Sequence, residues 1–352
     1  MEPRLFGIDN SNRDFTKKEA WGQNQFNSSF PISLCCYFEY KQISAKYIKM
    51  NHGIPLIDEI SISEAFGMNL LDSSIMYAFE TPLSKYQRYI YGRLPRNDVV
   101  IQNLNDGTQI SSFEIKLTAI PDHTTCELDS LLYGSEIVVR PDTIVYLACQ
   151  LADNQYLNLK DFFSEYQLRL DNVNWVEALA VLEITDIVKD FFEFLKVNSP
   201  YKQSPFLIQP IWKTEGKSPR LADSCLDIFI WSEFAFCDFI YLISNIESQN
   251  PQFISRPLRT AIWLMKMLFD FSQHGKFNHA EIIDALSYNT KNDKAFASNG
   301  IVTNRYMRCT ELMTPRIKKE QLKEIILGGG QNLLSPERRF DAIIYNSPEI
   351  FE

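Results

Sequence analysis

A single stretch, residues 97–118, constrains this chain more than any other, because it has the pattern of one β-hairpin with charged residues at its open end. The apolar residues 99–101 follow Asp98, and the turn-forming sequence Asn-Asp-Gly occupies positions 105–107. A second run then ends in FEIKL, residues 113–117. Two short strands separated by a glycine-containing turn are typical of a hairpin. We therefore predict two adjacent antiparallel strands here.

The length of the turn decides which side chains of the hairpin share a face. A three-residue loop with Gly107 in the left-handed conformation would pair Leu104 with Thr108. Asp98 would then lie opposite Glu114. Lys116 would point to the same side, because side chains alternate along a strand. A two-residue loop would shift the register by one position and turn Asp98 to the other face.

Asp98, Glu114 and Lys116 are the residue types that metal-dependent hydrolysis of a phosphodiester requires. Two close carboxylates repel unless a cation lies between them, and hard oxygen ligands suit Mg²⁺. A bound Mg²⁺ lowers the pKa of a coordinated water and polarises a phosphoryl oxygen, while an ammonium group can orient the attacking water. We therefore predict that these three residues are catalytic and that the two acids bind Mg²⁺.

The order Asp, spacer, Glu-x-Lys resembles the catalytic core of the PD-(D/E)XK nucleases, the fold group of many restriction endonucleases. The resemblance implies an α/β (α+β) fold. Its PD-(D/E)XK restriction-endonuclease-like core would have a central mixed sheet flanked by helices, followed by a helical C-terminal extension. It also implies that Asp98, Glu114 and Ile115 form the metal site and that Lys116 assists the water.

A further acid is often supplied in that fold group by a helix that precedes the catalytic hairpin. An apolar helical pattern runs from about residue 63 to residue 79. Glu64 lies on this predicted helix and is the best-placed candidate for a further metal ligand, with Glu59 and Glu80 behind it.

Glu-x-Lys by itself is a weak signal, since the chain contains it twice more, at residues 39–41 and 215–217. Only residues 114–116 follow an Asp that leads directly into an apolar strand and a credible turn. The opposing interpretation is a solvated hairpin end, in which Arg93 or Arg96 pairs with the acids as a surface salt bridge.

The charge distribution argues against a protein that coats DNA nonspecifically, because the net charge of the 352 residues is −9. Residues 121–200 contain fourteen acids and five bases and so account for the whole of that balance. Local basic clusters remain elsewhere, among them Lys213, Lys217 and Arg220, and such clusters can track phosphates. Ordinary solvated surface is the opposing interpretation for any one of them.

The seven cysteines are odd in number and include no Cys-x-x-Cys pair, which disfavours both a disulfide framework and a structural zinc site. The first residues lack the apolar core of a signal peptide, and no stretch approaches the roughly 18 apolar residues of a membrane span. These features predict a soluble, cytoplasmic protein.

Helices and strands are predicted along the rest of the chain from periodicity and caps. The first 60 residues read as irregular and amide-rich, and the C-terminal third as mainly helical. The segment 226–231 fits either a strand or the start of a helix. We predict an N-terminal segment over residues 1–60, a nuclease core over 61–250 and a helical extension over 251–352. The predicted strands are 136–139 and 206–212, and the predicted helices are 143–151 with Asp142 as N-cap, 174–197, 256–272, one capped by Asn278 with Glu281, 318–327 and one from Ser335.

A narrower resemblance begins at the N-terminus. The segments FGIDNSNRDF (residues 6–15) and WGQNQFNSSFP (21–31) are similar to the opening of the HindVP family of type II restriction endonucleases. The hairpin extended through LTAIPD (117–122) and the segment QPIWKT (209–214) are similar to that family as well.

This resemblance implies a sequence-specific endonuclease that cuts both strands of DNA at a short palindrome, GRCGYC in that family, with Mg²⁺ as cofactor. A two-fold site implies a homodimer, because a closed two-fold assembly mirrors the symmetry of the duplex. Such an enzyme is also expected to have a partner DNA methyltransferase that protects the host.

Amide and guanidinium side chains near the N-terminus can read adenine and guanine edges in the major groove. Their opposing interpretation is a hydrogen-bonded loop. Together with two lysines of the basic cluster at residues 213–220, the predicted DNA contacts are Asn10, Asn12, Arg13, Asn24, Gln25, Asn27, Lys213 and Lys217.

Two rival functions stay open at this point. One is a repair or recombination nuclease that recognises DNA structure rather than sequence. The other is a binding or scaffold protein without enzymatic activity, in which the hairpin motif occurs by chance.

Overall fold

A computed structural model of the chain describes residues 10–12, 23–51, 54–116, 141–155, 157–198, 206–208, 212–215, 218–221, 228–232, 254 and 256–288. The predicted strand 136–139 and the predicted helices after residue 317 lie outside these residues. In the described part of the chain, no helix is both long enough and apolar enough to cross a membrane.

The chain forms a mixed fold of helices and strands. The helices are α1 (Gln23–Lys41), α2 (Ile62–Phe66), α3 (Pro141–Asp153), α4 (Leu159–Asp171), α5 (Ala178–Leu182), α6 (Thr185–Asn198), α7 (Arg256–His274) and α8 (His279–Ala285), with a 3₁₀ helix at Ser84–Tyr89. The strands are β1 (Ala45–Asn51), β2 (Ile54–Ile60), β3 (Ile75–Thr81), β4 (Asn97–Asn103), β5 (Gln109–Lys116), β6 (Phe206–Ile208), β7 (Trp212–Glu215), β8 (Ser218–Leu221) and β9 (Ile228–Ser232).

A seven-stranded sheet in the order β2-β1-β6-β9-β5-β4-β3 is the centre of the fold. Its strand pairs are all antiparallel among the described residues, so the expected mixed sheet is not what this part of the chain forms. The predicted strand 206–212 is divided in two, because β6 joins this sheet and β7 pairs instead with β8 as a separate hairpin.

Two apolar clusters cover opposite faces of the sheet. On one face, α1 and α2 pack over strand residues that include Tyr77, Val99 and Phe113. On the other face, Ala78 and Val100 join a larger cluster formed by helices α3 to α8 and by the segment between β3 and β4. The alternation of side chains along β3 and β4 produces this division.

The described part of the first 60 residues is not irregular, contrary to the prediction, since residues 23–51 and 54–60 contain α1, β1 and β2. Ile32, Leu34, Cys35 and Phe38 of α1 are all completely buried. Because consecutive apolar residues of this helix are covered on several sides, its sequence lacks the polar stripe by which a surface helix is recognised. Pro31 lies inside the helix, a position where proline is unusual, so the sequence gives a further signal against a helix here.

The predicted helix 63–79 is wrong beyond Phe66. Gly67 ends α2 in the left-handed conformation, and the backbone N–H groups of Gly67 and Met68 bond to the carbonyls of Glu64 and Ser63. The apolar run at residues 75–79 then forms β3, which is buried on both faces and pairs with β4. Periodicity alone cannot distinguish such a strand from a buried helix.

The predicted helix 174–197 is likewise divided, into α5 and α6. The guanidinium of Arg169 on α4 donates to the carbonyl of Glu183 at the break and binds the carboxylate of Asp186 at 2.7 and 3.0 Å. This contact satisfies a carbonyl at the end of α5, and it depends on the packing of α4 rather than on local sequence.

Several boundaries agree with their caps. Helix α7 covers the predicted range and ends before Gly275, and the side chain of Asn278 accepts a hydrogen bond from the Glu281 amide at the start of α8. Residues 228–232 form a strand, which resolves the open alternative. Helix α3 begins at Pro141, so Asp142 lies within the helix instead of capping it.

Candidate active site

The turn of the β4–β5 hairpin is longer than the predicted loop, and a β-bulge restores the register. Asn103 accepts a hydrogen bond from Gly107 and donates one to the carbonyl of Thr108, so the predicted Leu104–Thr108 pair is wrong. Gln102 pairs with Gln109, whereas Ile101 pairs with Ser111, which leaves Ile110 as an extra residue on β5. Gly107 has a φ of 71° and supplies the left-handed turn position that was predicted.

The bulge decides where the two acids lie. Without it, the pairing set by the turn would place Asp98 opposite Phe113 and on the other face of the sheet. With it, Val99 pairs with Phe113, so the next facing positions are Asp98 and Glu114. The expected facing of these two residues is therefore observed, although through a different turn.

The acids share the face of the sheet that lies opposite α1 and α2. Val99 and Phe113 point into the cluster under those helices, and alternation turns the neighbouring Asp98 and Glu114 to the other side. Glu114 is buried, with only 7% of its surface exposed, and Asp98 is half-buried. Buried carboxylates are stable only when cations or hydrogen-bond donors compensate their charge.

The carboxylate of Asp98 is held against the neighbouring strand. Its Oδ2 atom accepts a hydrogen bond of 2.7 Å from the backbone N–H of Ile115. A strand residue directs its N–H and its C=O toward the same neighbour, so the carbonyl of Ile115 faces this side as well. Because a carboxylate has about four lone-pair positions, the bond to Ile115 does not exhaust its capacity to accept.

Lys116 ends β5, two residues beyond Glu114, and is paired in register with Phe229 of β9. Its side chain lies outside what the structure describes. The backbone position thus agrees with the predicted motif, while the role of the ammonium group stays a prediction.

Glu80 lies on β3, which pairs with β4, and it occupies the position across from Asp98. The flanking pairs are Phe79 with Val99 and Thr81 with Asn97. Glu80 has a φ of 53°, which is rare for a residue with a side chain and interrupts the regular pairing at this point. Acidic residues therefore follow one another across β3, β4 and β5.

Glu64, the first candidate for a further ligand, does not lie near Asp98, Glu114 and Glu80. It is exposed in the first turn of α2, where its amide bonds to the hydroxyl of Ser61 at 3.2 Å. Helix α2 packs on the opposite face of the sheet from Asp98 and Glu114, with Phe66 against Phe113. The structure thus corrects the placement of Glu64.

Among the described residues, no group of three or more histidine, cysteine or acidic side chains is arranged to hold a metal ion. The pair formed by Asp98 and Glu114 nevertheless fits Mg²⁺, which is usually bound by one or two carboxylates and keeps several waters. The cation would also compensate the charge of the buried Glu114 carboxylate.

Tyr146 on α3 fixes the segment that leads into Asp98, and sequence patterns did not identify it. Its hydroxyl accepts a hydrogen bond from the Leu83 amide at 3.0 Å and donates one to the Pro95 carbonyl at 2.8 Å. The end of β3 and the start of β4 are thereby held together. Only the three-dimensional structure shows this contact, because Tyr146 looks like one more apolar position of a buried helix.

The predicted DNA contacts near the N-terminus divide into two groups. Asn12 is used by the scaffold, since its amide oxygen accepts from the Phe79 N–H at 2.8 Å and its amide nitrogen donates to the Phe79 carbonyl at 3.3 Å. Asn10 donates to the Ser73 carbonyl at 3.3 Å. For these two, the hydrogen-bonded loop is the interpretation that the structure supports. The side chains of the remaining predicted contacts, Arg13, Asn24, Gln25, Asn27, Lys213 and Lys217, lie outside the described residues.

Arg93 and Arg96 do not neutralise the acids. Both are exposed, and within the described part of the chain no ion pair engages either of them. The alternative of a plain surface salt bridge between these arginines and Asp98 or Glu114 is therefore not what the structure contains.

Comparisons with known proteins bear on the class of this site. The model of the HindVP restriction endonuclease family matches residues 21–351. The chain is 48% identical over 351 residues to a probable type II restriction enzyme HindVP of Haemophilus influenzae (strain ATCC 51907 / DSM 11121 / KW20 / Rd), covering 100% of this chain and 96% of that protein. It is 44% identical over 354 residues to the type II restriction enzyme HgiDI of Herpetosiphon aurantiacus, covering 100% of this chain and 98% of that protein. No solved structure matches the chain.

Proposed function

The chain belongs to the HindVP restriction endonuclease family, and from that premise we propose how it acts as a type II restriction enzyme. The proposal is Mg²⁺-dependent hydrolysis of phosphodiester bonds in double-stranded DNA at the β4–β5 hairpin. The observation that supports it is the facing of Asp98 and Glu114, with the carboxylate of Asp98 bonded to the Ile115 amide.

Each residue has a separate part in the proposed reaction. Asp98, Glu114 and the carbonyl of Ile115 would hold Mg²⁺, which when bound makes water more acidic and draws charge from the phosphate. The hydrogen bond from Ile115 keeps the Asp98 carboxylate in place before DNA arrives, so little ordering is needed at the moment of reaction. Lys116 would orient the attacking water and offset the charge that develops on the phosphate.

The family resemblance supports a proposal for the recognition site and the assembly. We propose a short palindromic site of the type GRCGYC, cut by a homodimer in which each subunit acts on one strand. A methyltransferase that modifies the same site would protect the DNA of the host. Glu80 is the acid nearest in register to the proposed pair and is the better candidate for a supporting role than Glu64.

The experiment is digestion of unmethylated plasmid DNA with the purified protein and Mg²⁺, followed by sequencing of the ends. We expect discrete fragments with a common terminal sequence, and none without a divalent metal. A smear of random ends would instead indicate a nuclease that recognises structure, and intact plasmid at all metal concentrations would indicate a binding protein.

The variant Glu114→Gln tests whether the activity depends on this site, because it removes the charge of the side chain and keeps its shape. Glu165→Gln is the matched control, since Glu165 is exposed on α4. We expect the first variant to lose cleavage and the second to keep it. Equal activity of the two variants would remove Glu114 from the mechanism.

A further inference from the structure

The segment between β3 and β4 is basic, although the chain as a whole is acidic. Residues 82–96 contain Lys85, Arg88, Arg93 and Arg96 and no acidic residue, in a chain of net charge −9. We refer to residues 84–96 as the basic loop.

The basic loop is an ordered surface, with its apolar side turned inward. Tyr86, Ile90 and Leu94 are buried in the cluster that also contains Ala78 and Val100. Lys85, Arg93 and Arg96 are exposed, and Arg88 has 64% of its side chain exposed. Buried anchors and exposed cations therefore occur together in this short segment.

Side-chain and backbone hydrogen bonds hold the loop in this shape. The amide of Gln87 donates to the Gly92 carbonyl at 2.8 Å and accepts from the Leu94 N–H at 3.2 Å. Phe277, which precedes α8, exchanges backbone bonds of 2.9 and 3.0 Å with Tyr91 and Tyr89. A surface held in this way loses little conformational entropy when it binds a partner.

Not all of the positive charge is available. Arg88 forms an ion pair with Asp153, so we discount it. Lys85 also interacts with the Asp153 carboxylate and lies over the ring of Tyr86, so Arg93 and Arg96 are the main cations of the proposal. Arg93 and Arg96 have no ion pair within the described part of the chain. Lys276 adds a cation, since its ammonium lies 5.8 Å from the ring centre of Tyr91.

The loop adjoins the two acids. Arg96 precedes Asp98 by two residues, which places their Cα atoms within about 7 Å of each other. The anchors of the loop belong to the cluster on the same face of the sheet as Asp98 and Glu114. Exposed cations next to a pair of carboxylates suit a polyanion whose ester bond must reach those carboxylates.

We propose that the basic loop is the surface that binds the phosphate backbone of the DNA beside the bond that is cut. Lys85, Arg93 and Arg96 make phosphate contacts, which position the duplex without reading its sequence. The inference rests on the proposed nuclease function and adds to it the surface by which the substrate is held.

The test compares two triple variants of the full chain with equal net charge. One is Lys85→Gln/Arg93→Gln/Arg96→Gln in the basic loop. The control is Lys160→Gln/Lys189→Gln/Lys196→Gln, which removes three charges from α4 and α6. Binding to a labelled duplex is measured in EDTA over a series of salt concentrations, and cleavage is measured with Mg²⁺ at enzyme concentrations below saturation.

The loop variant is expected to lower the slope of log affinity against log salt by roughly 2 to 3, because each lost phosphate contact changes it by about 0.9. Its cleavage at subsaturating concentrations should fall at least tenfold, while a saturating concentration restores the wild-type fragment pattern. The control should retain most of the wild-type slope. Equal slopes for the two triple variants would overturn the proposal, even if the wild-type protein cuts DNA.

Failure of the proposed function has a different signature. In that case the wild-type protein leaves every plasmid intact in Mg²⁺, whichever variant is compared. A wild-type protein that cuts DNA, with a loop variant indistinguishable from the control in both salt slope and cleavage, rejects the loop alone.

Discussion

The two faces of the central sheet differ in what they can do, although the same strands form both. The face under α1 and α2 is closed by apolar side chains and by the thiols of Cys35 and Cys36. The opposite face carries Asp98 and Glu114 at the ends of β4 and β5. A one-residue bulge at Ile110 decides whether the two acids share a face, so the placement of the proposed site depends on register rather than on composition.

Replacing Asp98 should have the largest effect, and it separates charge from hydrogen bonding. Asp98→Asn keeps an oxygen that can accept from the Ile115 amide, whereas Asp98→Ala leaves that amide without its acceptor. We expect both variants to lose cleavage by roughly 10³-fold, the size of a lost electrostatic contribution. Only the alanine variant should also lose about 1 to 2 kcal/mol of unfolding free energy.

Plasmid cleavage and urea unfolding of the three proteins check this prediction. Cleavage by Asp98→Asn at the wild-type rate would mean that the hairpin end is only scaffold.

A cavity made in the apolar core under α1 and α2 should lower the stability of the protein while leaving its cleavage rate nearly unchanged. Phe66 packs against Phe113 and Phe206 with ring centres 4.4 and 5.3 Å apart. Phe66→Ala is expected to cost about 3 to 5 kcal/mol of unfolding free energy, while the cleavage rate per folded molecule changes little. Leu71→Ala is the control, because Leu71 is exposed at 38% and its loss should change stability by less than about 0.5 kcal/mol.

Denaturant unfolding and cleavage under conditions where the variant is folded provide the two readouts. A parallel fall in stability and in cleavage per folded molecule would mean that the two faces are coupled more tightly than their separate cores indicate.

Asn12 tests whether the N-terminal segment is scaffold or reads DNA. Its amide bonds to both the N–H and the C=O of Phe79 on the edge strand. Asn12→Ala should lower the unfolding free energy by about 1 to 2 kcal/mol and leave the sequence of the cut site unchanged. If sequencing of the fragment ends shows that Asn12→Ala also cuts at other sites, Asn12 contributes to DNA recognition.

The buried thiols should show their effect on stability as a dependence on pH. Burial raises the pKa of the Cys36 thiol to about 12, from an ordinary value of 9.0. The folded state therefore favours the protonated thiol, and this contribution to stability is complete below pH 9 and is lost as the pH rises toward 12. Burial raises the pKa values of Cys35 and Tyr77 in the same direction.

Unfolding free energies measured from pH 8 to 11 should fall with pH, and less steeply in Cys36→Ala than in the wild type. Identical slopes would show that the Cys36 thiol is as easily ionised in the folded protein as in the unfolded chain.

The sequence predicts local structure correctly where the residues that decide a conformation are close to one another in the chain. The hairpin, the end of α7 before Gly275 and the Asn278 cap of α8 are of this kind. The predicted turn is one residue shorter than the observed turn. The predicted facing of Asp98 and Glu114 is nevertheless correct, because the bulge at Ile110 offsets the error in turn length.

Other features depend on distant partners and left no readable pattern. Residues 31–38 of α1 are buried on all sides, β3 has the apolar run of a helix, and the break between α5 and α6 is bonded by Arg169 from α4. The same limit applies to the site. Tyr146 and Glu80 reach the hairpin through tertiary structure and strand register, and neither has a motif of its own.

The central claim is that Asp98 and Glu114 jointly bind one divalent cation, and a crystal grown with Mn²⁺ tests it without reference to activity. We expect an anomalous difference peak at bonding distance from a carboxylate oxygen of each residue, and its loss in crystals of Glu114→Gln. A peak that contacts neither acid, or acids turned to opposite faces of the sheet, would contradict the account.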